Sequence, residues 1–219
     1  MKIGDSVKIK ENVFDEDVNI PISGWQGRIL NIVSEFEDGS SLVHIEFDSF
    51  TLKKMPAKYI INCEREGYDW TSYNIGSLEI EPASERDTPN DVKETLKQLQ
   101  DKYAYAHLEE GERIMKVLNG LSPDDYEAAY KRWFDYLNDT LKLPEKMEIF
   151  EYQENSEFHI NDKIFVKQLK EINPHYGIII NGVWNLQPVD FQLSDLEVID
   201  KKSKNYQPVM DYCVWFGNR

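Results

Sequence analysis

Two cysteines are all that the 219 residues contain. Cys63 and Cys213 stand far apart, so neither a disulfide framework nor thiolate metal spacing can be written, and buried thiols in a cytoplasmic chain are expected. Histidine is as sparse: His44, His107, His159 and His175 form no His-x-x-His or Glu-x-x-His pair, which argues against a catalytic zinc. No glycine loop could cradle a phosphate or a dinucleotide. No apolar run approaches the ~20 residues that cross a bilayer, and Met1-Lys2-Ile3-Gly4-Asp5 lacks the apolar stretch of a signal peptide. A Lys/Arg stripe is also missing, so neither nucleic acid nor membrane is expected as a partner. Gly4-Asp5-Ser6 invites comparison with a serine hydrolase block. However, Val7 and Ile9 alternate after it in strand fashion, and no Asp-x-x-His lies near the C-terminus. No catalytic constellation emerges, and the chain is not expected to be an enzyme.

What the chain has is acid. Forty Asp and Glu face 25 Lys and Arg, a net charge of −15. That sign favours solubility, cations and basic protein partners. The organisation is of the α+β class, with two small SH3-like antiparallel β modules joined by a helical hairpin. Residues 1–82 read as the first module, 83–121 as linker and first helix, and 122–219 as a helix followed by the second module. In the first, Asp5–Lys10, Gln26–Val33 and Ser41–Phe47 alternate as strands, with Asp38-Gly39 as a hairpin signal. Tyr59–Ile61 and Leu78–Ile80 are shorter candidates. Gly24-Trp25-Gln26-Gly27-Arg28-Ile29 resembles the glycine turn of KOW-type SH3-like domains, which implies a sharp bend at a strand start. Asp15-Glu16-Asp17-Val18-Asn19 opens like a calcium loop. It then carries Ile20 in place of Gly and Gln26 in place of Glu, leaving at most a loose cation site.

Thr88-Pro89-Asn90-Asp91 starts a helix that Gly111 interrupts and Asn119-Gly120 stops. Ser122-Pro123-Asp124-Asp125 starts the next. There Tyr126, Ala129, Tyr130, Trp133, Phe134, Leu137 and Leu141 share one face, and Pro144 ends the pattern. Beyond it the period becomes two. Lys146–Tyr152, Lys163–Lys167, His175–Ile180, Val183–Val189 and Leu196–Ile199 are strands, and Asn181-Gly182 reads as a hairpin turn. Gly4–Val7 and Asn161–Ile164 look like equivalent strand entries of two related modules.

The last ninety or so residues carry a family resemblance. A tryptophan-bearing helix leads into Leu141-x-Leu143-Pro144. An Asp-x-x-x-Val strand entry (Asp162 to Val166), Asp195-Leu196-Glu197, and Tyr212-x-x-Trp215-Phe216 follow. Together they resemble the acidic calcium-binding protein family first known from cyanobacteria, with Asn161 standing where glycine is expected. The resemblance implies calcium as the bound ion, which takes six to eight hard oxygens at flexible geometry. Candidate ligands are Asp195, Glu197, Asp190 and Glu171, with Asp162 and Asp211 behind them. Asp195 and Glu197 lie where the resemblance is best, and two residues apart on a strand is one face. Two functions are therefore in view. One is a calcium sensor or buffer. The other is an ion-free interaction module that holds a protein partner on sheet surfaces bearing Trp25, Trp70, Trp184 and Trp215.

Overall fold

The structure, a computed structural model, describes residues 1–37, 39–151 and 157–219. Asp38 of the expected Asp38-Gly39 turn and the Tyr152 end of the first C-terminal strand lie outside them. The chain divides into two compact units, Met1–Glu109 and Glu110–Arg219.

In the first unit, β1 (Ser6–Ile9), β4 (Gln26–Glu35), β5 (Ser41–Phe47), β6 (Ser72–Gly76) and β7 (Ile80–Pro82) form one antiparallel sheet in the order β6-β5-β4-β1-β7. A two-stranded hairpin, β2 (Phe14–Asp15) and β3 (Ile20–Pro21), lies between β1 and β4. Strand alternation sends Val7, Ile9, Val43, Ile45 and Phe47 into the core. Helices α1 (Ser49–Lys54) and α2 (Ala57–Glu66) interrupt the sheet between β5 and β6, and α3 (Pro89–Lys102) packs on α1. Asp48 caps α1, accepting from the Thr51 amide at 2.7 Å. Tyr59-Ile60-Ile61, expected as a strand, is a turn of α2. Tyr59, Ile60 and Cys63 are its buried face, a helical spacing that three apolar residues alone cannot distinguish from a strand. Leu78-Glu79 is a 3-10 turn leading into β7. The sharp bend expected in the KOW-like segment is made by Gly24, at φ +80°. Gly27 is needed for a different reason. A Cβ there would collide with the Glu46 carbonyl oxygen, so only glycine lets β4 and β5 close.

The second unit opens with α4 (Gly111–Leu118) and α5 (Tyr126–Thr140), which pack together. The helix foreseen from Thr88 is thus two helices, one in each unit. The boundary foreseen after residue 121 falls at Glu109/Glu110, and no long helical hairpin joins the modules among the described residues. The α5 cap is Asp125 rather than Ser122, because its carboxylate accepts from the Ala128 amide at 3.1 Å. Of the expected stripe, Ala129, Tyr130, Trp133, Leu137 and Leu141 are buried, while Tyr126 is 45% exposed.

Five strands follow: β8 (Glu145–Ile149), β9 (Lys163–Asn173), β10 (Gly177–Trp184), β11 (Gln187–Gln192) and β12 (Leu196–Val198), before the C-terminal helix α6 (Tyr206–Gly217). Their order is β11-β10-β9-β8-β12. Met147, Ile149, Ile164, Val166, Ile178 and Ile180 are fully buried, as are Trp133 on α5 and Tyr212 and Trp215 on α6. Each such side chain is worth roughly 1.5–3 kcal/mol of burial.

Asn181-Gly182 is not a turn. It lies inside β10, where Asn181 pairs with Asp190 and Gly182 with Val189. The hairpin is made four residues later by Asn185 and Leu186, at φ +48° and +67°. Gly182 is required by close approach instead, since a Cβ would sit 2.7 Å from the Phe165 carbonyl oxygen, beside a bulge in the β9–β10 ladder. Asn161, where glycine was expected, does adopt the left-handed region, at φ +71°.

With strands numbered in chain order within each sheet, both sheets run fifth, first, second, third, fourth, with a 3-10 turn before the last strand. The two strand entries read as equivalent do not occupy equivalent places. Asp5 precedes the first strand of its sheet, whereas Asp162 precedes the second. Trp70 and Trp215 are 3% and 0% exposed, so they belong to the two cores and not to any sheet surface.

Candidate metal centre

The candidate ligands divide into two groups. Asp190, on β11, is exposed and already engaged: its carboxylate accepts from Lys170 Nζ at 2.6 Å and from Asn181 Nδ2 at 2.9 Å. Those two bonds hold Asp190 below the ordinary carboxylate range, and the Asp190 bond in turn raises Lys170. Glu171 lies 3.7 Å from the same ammonium. One lysine therefore stands between these two acids, where a cation would have to displace it.

Asp195 and Glu197 lie elsewhere. Asp195 ends the 3-10 turn Leu193–Asp195 and is 9% exposed. Its side chain accepts from Ser194 Oγ at 3.0 Å and from Gln192 Nε2. Its carbonyl accepts from the Phe150 amide at 3.1 Å. Glu197, on β12, takes a 3.3 Å bond from the Tyr206 hydroxyl and pairs with Lys201 at 3.5 Å. Strand alternation does not apply to the two acids, since Asp195 is in the turn and Glu197 in the strand. Both fields nonetheless reach Cys213, whose thiol is pushed up first by burial and then by Asp195 and Glu197.

The secondary candidates hold the fold together. Arg113 grips Asp211 through Nε at 2.9 Å and Nη2 at 3.0 Å, a bidentate bridge from α4 to α6. Asp162 accepts from the His159 amide at 2.9 Å. In the first unit, Asp15 is buried, accepting from the Tyr59 hydroxyl at 2.7 Å and from the Asp17 amide at 3.0 Å. The segment that opened like a calcium loop is thus a β-hairpin anchored through its first acid.

Among the described residues, no group of three or more His, Cys, Asp and Glu could hold a metal ion. The four foreseen ligands therefore do not form one set. The structure does bring a different pair together. Glu151, which sequence reasoning missed, lines a cavity of about 360 Å³ with Asp195, Ser194, Phe150 and Cys213. The two carboxylates carry hard oxygens of the kind calcium takes, short of the six to eight it needs. No signal in the sequence links Glu151 to Asp195. They meet because Phe150, just past β8, bonds to the Asp195 carbonyl at the entry of β12.

No curated protein matches the chain. Two solved structures are similar to it. One, described as a calcium binding protein in the calcium-binding form, is 17% identical over 49% of this chain and 88% of its own, with a TM-score of 0.40. The other, the crystal structure of Anabaena CcbP, is 18% identical over 50% of this chain and 93% of its own, with a TM-score of 0.41. Residues 112–216 match the family model Calci_bind_CcbP, whose description is calcium binding. Over residues 112–216 the chain is thus similar to the calcium-binding family that its sequence resembles.

Proposed function

We propose that the C-terminal unit binds calcium and serves as a cytoplasmic sensor or buffer without catalysis of its own. The observation that carries this reading is the family match over residues 112–216. The cavity beside Asp195 supports it with acidic side chains. There Glu151 and Asp195 would supply carboxylate oxygens. We further propose that both sheets are SH3-like modules; the strand order they present supports it.

The test is a thermal melt of chelator-stripped protein with and without millimolar calcium, magnesium serving as control. A ligand at 100 times its Kd adds about 2.7 kcal/mol to the folded state, so a rise of several degrees with calcium alone is expected. Asp195→Asn and Glu151→Gln should each abolish most of that rise, and Asp190→Asn should leave it intact. An unchanged melt in calcium would remove the proposal. A rise lost in Asp190→Asn but kept in Asp195→Asn would move the ion to the other acid group.

A further inference from the structure

Helix α5 keeps only part of its apolar face for the core. Tyr126, Tyr130 and Phe134 recur every four residues and form a continuous ridge about 12 Å long. Across from it stand Ile172, at the end of β9, and Pro174 in the following turn. Together they enclose a groove of about 950 Å³. Its mouth is open: Tyr126 is 45% and Ile172 38% exposed. A continuous apolar surface of this kind, rimmed by charge, is what a partner covers.

The rim states the sign of the partner. Among the described residues, Asp125, Glu127 and Asp135 line it against one cation, Lys131. That cation is already taken, by Asp135 at 3.0 Å. Asp125 and Glu127 therefore leave the rim negative. A second copy of this chain would bring more of the same sign, since the protein carries −15.

We infer that this groove docks a basic amphipathic helix of a partner protein. The helix would seat one or two apolar side chains between the Tyr126–Phe134 ridge and Ile172, with lysine or arginine turned to Asp125 and Glu127. The inference uses none of the acids proposed to hold calcium, and it stands whether or not an ion binds.

The probe is a fluorescein-labelled fourteen-residue Leu/Lys amphipathic peptide, titrated by anisotropy against the full chain in chelator at low salt. The control peptide carries Glu for every Lys. Saturable one-to-one binding of the basic peptide alone is expected. Ile172→Glu should weaken it more than tenfold and Glu127→Lys several-fold, while Glu16→Lys, the same charge change in the first unit, should leave it within twofold. Far-ultraviolet circular dichroism confirms that each variant is folded. The inference is overturned if no saturable binding occurs, or if Glu16→Lys weakens binding as much as Glu127→Lys, which is attraction to bulk charge. It is also overturned if sedimentation shows a dimer that Ile172→Glu dissociates, which makes a second copy the occupant.

Discussion

At the scale of single residues, the clearest energetic commitment lies in the segment between β7 and α3. Asp87 keeps a side-chain exposure of 2% and pairs with Arg28 at 2.6 Å, while its other oxygen accepts from the Ser49 amide, also at 2.6 Å. Burial alone would raise its pKa. The bonds from Ser49 and Arg28 outweigh burial and hold it below the ordinary value. A carboxyl with a lower pKa folded than unfolded stabilises the fold fully above the unfolded value of about 3.9, and that contribution fades as pH falls through the folded value. Asp87→Asn should therefore cost about 2 kcal/mol at pH 7, and the gap to wild type should shrink near pH 3. Paired urea melts at the two pH values measure it. Arg86, which reaches Asp48 at 2.6 Å, ties the same segment to the cap of α1. The stretch read in the sequence as a polar linker is thus fastened to the first unit at two buried acids.

At the scale of elements, the instructive case is β10. Gly182→Val satisfies the β propensity of its neighbours and would strengthen a strand on sequence grounds. Here it forces the β9 backbone aside, and a loss of about 1–3 kcal/mol is expected from overpacking, read as a lowered urea midpoint. Gly182 also shows what was legible. The aromatic face of α5 and the calcium-family resemblance were readable, because periodicity and motif order are local or additive, whereas the strand read over Val183–Val189 runs across the true turn between β10 and β11. The turn was not, since Asn-Gly has the same local preference whether it bends the chain or makes room for a neighbouring strand. Asn185-Leu186, where the chain does turn, puts a leucine at positive φ that no propensity favours. The metal candidates do not come together as one set for a related reason. Asp190 and Glu171 carry the right chemistry, but Lys170, next to Glu171 on β9 and two strands from Asp190, engages both. Glu151 was passed over because only the folded sheet puts it on the same cavity wall as Asp195.

At the scale of the whole molecule, two units with separate cores divide the charge unequally: 21 acidic against 12 basic residues up to Glu109, and 19 against 13 beyond it. The more acidic unit lies outside the family match. Calcium should therefore act on one unit alone. In scanning calorimetry of the full chain, the transition belonging to the C-terminal unit should move up with calcium while the other stays in place. Movement of both by equal amounts would instead mean general screening of the negative charge. A final consequence follows from β11, which stands at the end of its sheet order. Its second residue is Pro188, which has no amide hydrogen to offer, and Lys170 and Asp190 lay charge across the last strands. An outer strand so equipped is a poor template for another β-chain, so this edge of the second unit should resist pairing with further copies.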